Sequence, residues 1–376
     1  MTVTIRPGRL AGVISAMPSK YDLHRLMIAS HLAGMDLEGF PVISDDIAVT
    51  KTCLRSLATV NCQLSTVNCH ESGSTLRFLL PVFAALGREV MFTGEGRLPE
   101  RPMQPLIDQL RAHGCTIDRD HLPITIAGRL QPGVFTLPGD VSSQYVTGLL
   151  FALPLLDGDS KIALSSPLES RGYVDMTLRT LQKFDIVIRE TAQGFQVPGG
   201  QAYQRLAESP TPEGDWSAAA FWLAAGVRVT GLDEASAQPD RVIAGLLKAL
   251  PGEIDVSQCP DLMPILAAVM ALTPGDRRII NAARLRLKES DRLHAMAVNL
   301  NALGADVTEQ SDGLVLHGKA SLHGGEADSF GDHRVAMTMA IAALKCEAPV
   351  TLHGAQAVAK TYPAFWEDYQ RLGGQL

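Results

Sequence analysis

Residues 71–87 read ESGSTLRFLLPVFAALG: a polar opening, an apolar run after Arg77, and a closing glycine. A run that is apolar nearly all round marks a buried helix rather than a surface one. Its opening places Ser and Arg where a helix start leaves unpaired N–H groups and the positive end of its dipole. The same design recurs in MPSKYDLHRLMIASHLAG (17–34), SSQYVTGLLFALPLLDG (142–158) and GDWSAAAFWLAAG (214–226). It returns in PDLMPILAAVMALTPG (260–275) and DHRVAMTMAIAALKCEAP (332–349). Six buried helices with polar, partly cationic starts are suited to hold an anionic ligand.

Amphipathic helices alternate with these six. They are read in TKTCLRSLATV, RPMQPLIDQLRAHG, DMTLRTLQKF, DRVIAGLLKAL, ESDRLHAMAVNLNALG and YPAFWEDYQRLG. Most lead into a β-type stretch such as CTIDR, IVIRE or ADVTEQ. The pattern predicts six copies of one α/β unit, each with a buried and an outer helix. Their uneven spacing argues against a regular solenoid or propeller and for a two-lobed α/β protein with three units per lobe.

Composition narrows the function. A chain of 376 residues suggests about two or three domains with a large core. The net charge of −7 argues against nucleic acid or an anionic membrane as partner, so the cations at helix starts run against the global sign. The stretch MTVTIRPGRLAGVI reads as a strand, not a leader, and no apolar run reaches membrane-spanning length. Six cysteines without a CxxC pair (Cys53, Cys62, Cys69, Cys115, Cys259, Cys346) are expected to be reduced and buried, which points to the cytoplasm. ESPTPEGDW (208–216), with two prolines and a glycine, reads as a crossover. Trp216, Trp222 and Trp366 are expected in the core.

At this point ten motifs, in order along the chain, carry a resemblance. They are PSK…HR (18–25), SGSTLRF (72–78), ERP (100–102), SSQ (142–144), SRGY (170–173), EGD (213–215), PD (260–261), KESDRL (288–293), GDHRVAM (331–337) and AKTYP (359–363). In this the sequence resembles the 5-enolpyruvylshikimate-3-phosphate synthase (3-phosphoshikimate 1-carboxyvinyltransferase) family of enolpyruvyl transferases, over essentially its whole length. The resemblance implies a two-lobed fold, an inverse α/β barrel of six βαβαββ units. Residues 1–20 and 213–376 would form one lobe and 21–212 the other, with the active site in the cleft between them.

It also implies a reaction: the 5-hydroxyl of shikimate 3-phosphate adds to C2 of phosphoenolpyruvate, and the tetrahedral intermediate then loses phosphate. By the same resemblance, Lys20, Gly73, Arg101, Gln144, Arg292, Arg334 and Lys360 would hold phosphoenolpyruvate. Lys20, Arg25, Ser142, Ser143, Gln144, Ser170, Tyr173, Asp261 and Lys288 would face shikimate 3-phosphate. Arginine suits such a site because its planar fork binds carboxylate and phosphate bidentately. Asp261 is the expected base for the hydroxyl, and Lys288 or Glu289 the expected acid at the methylene carbon. The binding groups are cationic and no carboxylate cluster suggests a divalent ion, so no metal or organic cofactor is expected. The family expectation is a monomer acting on small molecules.

Four positions depart from the family pattern. Tyr21 stands where a serine is usual, Arg284 and Glu71 where asparagines are usual, and Phe78 where a proline is usual. Two other readings remain: UDP-N-acetylglucosamine enolpyruvyl transferase, or a repurposed relative that binds a phosphorylated metabolite. The first usually carries a cysteine in the loop that reads GEGRLPERP here, and the second predicts loss of Asp261, Lys288 or Glu289.

Overall fold

The computed structural model describes residues 1–59 and 65–376. Cys62 lies outside the described residues. The chain divides into two compact units, Met1–Ser19 with Glu213–Leu376, and Lys20–Pro212.

The Lys20–Pro212 unit holds helices α1 (Lys20–Leu32), α2 (Asp45–Thr59), α3 (Gly73–Ala85), α4 (Gln104–Ala112), α5 (Ser143–Ala152) and α6 (Arg171–Lys183). The other unit holds α7 (Trp216–Ala224), α8 (Ile243–Lys248), α9 (Met263–Ala271), α10 (Arg292–Ala302), α11 (His333–Ala343) and α12 (Phe365–Arg371). The odd-numbered helices are the six apolar runs, and in α11 every residue is buried. α7, α9 and α11 pack on one another, as α3 does on α5. Trp216, Trp222 and Trp366 join the core around the first three, with Trp222 stacked on Phe365 at 4.9 Å.

Polar residues start these helices because the first N–H groups need acceptors. Ser72 accepts from Thr75 N, Asp215 from Ala218 N and Asp332 from Arg334 N. Ser142 accepts from Gln144 N at the start of α5.

Three four-stranded sheets share one topology. The first runs Ser65–Asn68, Val90–Thr93, Ile124–Gly128, Cys115–Ile117. The second runs Val134–Leu137, Ser160–Leu164, Gly194–Val197, Arg189–Thr191. The third runs Glu253–Asp255, Gly275–Ile280, Gly313–Gly318, Val307–Gln310. In each the first pair is parallel and the others antiparallel. With α3/α4, α5/α6 and α9/α10 these are three full βαβαββ copies. The other three helix pairs have fewer strands: no strand lies between α1 and α2, and the sheets of Val13–Ser15 and Thr2–Ile5 have two and three strands.

Two details set the site. Residue 81, inside α3, is proline, so the Arg77 carbonyl lacks its usual intrahelical donor. Gly148 of α5 packs there, where a Cβ would lie 2.2 Å from that oxygen, so glycine permits the α3–α5 approach. The two chain crossings also run side by side. Ser19 N donates to Glu213 O at 2.7 Å and Asp215 N to Met17 O at 2.8 Å. The buried Gln238 clamps both, accepting from Ser19 Oγ and Trp216 N and donating to Glu213 Oε2 and Gly214 O.

Candidate active site

The expected site residues fall into two groups, one within each unit. In the Lys20–Pro212 unit, Gly73 is the first residue of α3. A Cβ there would lie 2.6 Å from Arg77 Nη1 and 2.9 Å from Arg101 Nη1, so its lack of a side chain makes room for two guanidinium groups. Arg77 Nη1 donates to Gln144 Oε1 at 3.0 Å, and Gln144 Nε2 donates to Ser74 Oγ at 3.0 Å. Gln144 thus ties the starts of α3 and α5 together. Arg77 Nη2 and the Tyr145 hydroxyl both donate to the Pro102 carbonyl, which fixes the segment that follows Arg101. Ser142 caps α5, and Ser143 is its first residue and buried.

Lys20 opens α1, and its ammonium lies 2.9 Å from Asp46 Oδ2 with both side chains nearly withdrawn from water. Arg25 is buried one and a half turns later. It donates to Tyr21 O, Tyr173 O and Thr177 Oγ1 at 2.6, 2.8 and 2.9 Å. Burial pulls its guanidinium down to about 10, against the opposing field of Asp22. Phe78 lies beneath it, with the ring centroid 5.3 Å from the guanidinium carbon. The Tyr21 ring rests 4.9 Å from that of Tyr173. Ser170, buried at the cap of α6, has φ +54°, a left-handed conformation uncommon for serine.

His24 is a buried, neutral group. Burial holds its imidazole down at about 3 against the opposing field of Asp46, with Lys20 and Arg25 adding to the effect. Its Nδ1 meets Thr50 Oγ1 at 2.8 Å, which continues to Thr75 Oγ1 at 2.6 Å.

In the other unit Arg292, the first residue of α10 and 1% exposed, is the centre. It donates to Asp332 Oδ2 at 2.8 Å, Asp261 Oδ1 at 2.7 Å and Glu289 Oε2 at 3.0 Å. Burial alone would lower its pKa, but the fields of Asp332, Glu289 and Asp261 outweigh that and raise it. Asp261 sits in the 3-10 turn Pro260–Leu262 before α9 and makes no cap, so its carboxylate is turned to the arginines. Its second oxygen lies 3.4 Å from Arg334 Nη2. Lys288 and Glu289 follow the 3-10 turn Ala283–Leu287 and are half-buried. Lys360 ends the turn Ala355–Lys360 and is buried. His333 is buried, its Nδ1 3.8 Å from Asp332 Oδ1. Arg284 donates to the Ser257 carbonyl.

Three participants lie beyond the expected set: Asp332, Arg77 and Asp46. Asp332, within the GDHRVAM motif, caps α11 and also accepts from Ser290 and Arg292, some forty residues upstream. Arg77 stands four residues after Gly73 on one helix face, a spacing that signals a shared site. Asp46 carries no local signal. Among the described residues, no group of three or more His, Cys, Asp or Glu side chains is disposed to hold a metal ion.

The sequence model of the family described as EPSP synthase (3-phosphoshikimate 1-carboxyvinyltransferase) matches residues 5–234 and 227–369. The chain is 42% identical to the 3-phosphoshikimate 1-carboxyvinyltransferase of Clostridium kluyveri, over 100% of this chain and 98% of that protein. It is 41% identical to that of Clostridium acetobutylicum, with the same coverage. The first alignment runs over 418 positions against 376 residues here, so this chain carries deletions. Among solved structures, EPSP synthase from Acinetobacter baumannii is similar with a TM-score of 0.79 at 24% identity, covering 99% of this chain and 98% of that one. The enolpyruvyl transferase NikO from Streptomyces tendae is similar with a TM-score of 0.75 at 18% identity, covering 99% and 97%. These two likenesses show a common fold.

Proposed function

The chain belongs to the EPSP synthase (3-phosphoshikimate 1-carboxyvinyltransferase) family, and from that membership we propose how its residues share the work. The reaction is transfer of the enolpyruvyl group of phosphoenolpyruvate to the 5-hydroxyl of shikimate 3-phosphate, with release of phosphate. The observation that carries the assignment is Arg292, buried and bound to Asp261, Glu289 and Asp332 at once.

The reaction draws on both groups of residues. Lys20, Arg101, Arg292, Arg334 and Lys360 bind the phosphate and carboxylate of phosphoenolpyruvate, and Gly73 admits the ligand to the start of α3. Arg25, Ser142, Ser143, Ser170 and Tyr173 bind shikimate 3-phosphate, with Gln144 and Lys20 reaching both substrates. Asp261 takes the proton of the 5-hydroxyl as its oxygen bonds to C2 of phosphoenolpyruvate, and the methylene carbon gains a proton to become methyl. A methyl proton then leaves, the double bond re-forms, and the C–O bond to phosphate breaks. Glu289 accepts a charge-assisted bond from Arg292, which favours its carboxylate form and suits it to remove the methyl proton. Lys288 then delivers the proton in the addition step. Preset charges supply much of the rate.

We further propose a cytoplasmic monomer. Five described cysteines are free and buried, as in a reducing compartment, and no described helix is long and apolar enough to cross a membrane. The function is tested by product analysis of phosphoenolpyruvate incubated with shikimate 3-phosphate or UDP-N-acetylglucosamine. An enolpyruvyl ether of the first alone supports it; an ether of the second, or none, refutes it.

A further inference from the structure

Lys20 opens α1 and pairs with Asp46 of α2 at 2.9 Å. One turn further along both helices a second rung follows, with His24 Nδ1 2.8 Å from Thr50 Oγ1. From Thr50 the contacts continue into α3. Thr50 Oγ1 lies 2.6 Å from Thr75 Oγ1, and Thr75 donates to Ser72 Oγ at 2.7 Å. The side chains of His24, Thr50, Thr75 and Ser72 are all buried. Ser72 is the cap of the helix that begins at Gly73. One line of side chains thus joins the starts of three helices.

Proton count sets the direction of these bonds. The neutral imidazole carries one proton, and each hydroxyl one. Thr75 spends its proton on Ser72, so its oxygen accepts from Thr50. The Asp46 carbonyl, 3.1 Å from Thr50 Oγ1, competes for that same proton. Either way Thr50 has none left for His24, and the proton of that bond comes from Nδ1. This also leaves no proton on Nε2, which is buried without a hydrogen-bond partner among the described residues.

We propose that Thr50 is a positioning residue. Its hydroxyl, accepting from the Nδ1–H tautomer of His24 and donating to Thr75, holds the starts of α1 and α3, and with them Lys20 and Gly73, at a fixed separation. This rests on Lys20 and Gly73 holding phosphoenolpyruvate. Without the hydroxyl, the His24 N–H and the Thr75 oxygen lose their shared partner inside the core. The two helix starts then drift from the spacing the ligand needs.

The test compares Thr50→Val, which lacks the hydroxyl, with Thr50→Ser, which keeps it. The KM for phosphoenolpyruvate should rise roughly fivefold or more in Thr50→Val while kcat changes by less than about twofold, and Thr50→Ser should stay within about twofold of the parent in both. A merely structural hydroxyl would lower thermal stability in Thr50→Val and leave the KM in place. A second measurement needs no turnover: nitrogen-15 spectra of histidine-labelled protein, with the His24 signals identified by their absence from His24→Asn. The parent should show the proton on Nδ1, and Thr50→Val should lose that pattern. If Thr50→Val does not fold, Thr75→Val breaks the next link and should give the same KM rise. An unmoved KM in the folded valine variant, a Thr50→Ser no better than Thr50→Val, or a proton on Nε2 in the parent, would overturn the proposal. A parent that turns over nothing would instead refute the proposed function, and the nitrogen spectra would still decide the His24–Thr50 bond.

Discussion

Arg292 Nη1 donates to Asp261 Oδ1 at 2.7 Å, with the two side chains only 1% and 10% exposed. Each is at the start of a different helix, and the bond turns a would-be cap into a poised carboxylate. Arg292 also holds Glu289 and Asp332, so removing its fork leaves three carboxylates without their common partner. Arg292→Lys should therefore raise the KM for phosphoenolpyruvate at least tenfold and cost about 3–5 kcal/mol of stability. Steady-state kinetics and urea unfolding check both; a loss below about 1 kcal/mol would contradict this reading.

Gly148 faces the Arg77 carbonyl closely enough that a methyl group would lie 2.2 Å from it. Because the obstacle is backbone, α3 and α5 must move apart in Gly148→Ala. The expected cost is about 1–3 kcal/mol, with weaker phosphoenolpyruvate binding as the Gln144 bridge to Arg77 and Ser74 lengthens. Calorimetric titration of the ligand and thermal unfolding measure the two effects. Parent-like values in both would show that the helices tolerate the separation.

His24 makes stability depend on pH. Its folded pKa is about 3 and its ordinary value 6.5, so between these the unfolded chain binds a proton that the folded one refuses. The contribution is full above pH 6.5 and fades as pH falls toward 3. His24→Asn should be less stable than the parent at pH 7 by about 1–3 kcal/mol, with the gap narrowing on acidification. Parallel stability–pH curves would count against a neutral buried imidazole.

The Phe78 ring supports the Arg25 guanidinium from 5.3 Å. Phe78→Leu keeps the apolar volume but removes the ring face. The KM for shikimate 3-phosphate should rise about two- to fivefold, the equivalent of about 0.5–1 kcal/mol, with little change for phosphoenolpyruvate. An equal rise for both substrates would point to α3 as a whole instead.

The helix layout was legible because the apolar runs open on polar residues, and in four of the six Ser72, Ser142, Asp215 and Asp332 cap the helix that follows. The strands were less so. IVIRE promised a strand from Ile186, but pairing begins at Arg189. The Val187 N–H and C=O are instead both taken by the Gln201 side chain, fourteen residues away, which no local pattern announces. The same limit applies at the site. Lys20 and Arg292 stand out by charge at helix starts, whereas Asp46 and Asp332 are their partners only through the fold.

Lys288 and Glu289 are separable by partial reactions. If Lys288 delivers the proton and Glu289 removes it, Lys288→Met should block deuterium entry into the methylene group from heavy water. Glu289→Gln should let the tetrahedral intermediate accumulate in a rapid quench, with a turnover loss of about 10²–10⁴-fold in each case. The reverse pattern would exchange the two roles.

The most direct measurement is phosphate release from phosphoenolpyruvate by the parent and Asp261→Ala, with shikimate 3-phosphate, UDP-N-acetylglucosamine or no acceptor. The account predicts release by the parent with shikimate 3-phosphate alone, and its loss in the folded variant. Release without an acceptor, or undiminished release by Asp261→Ala, would contradict it.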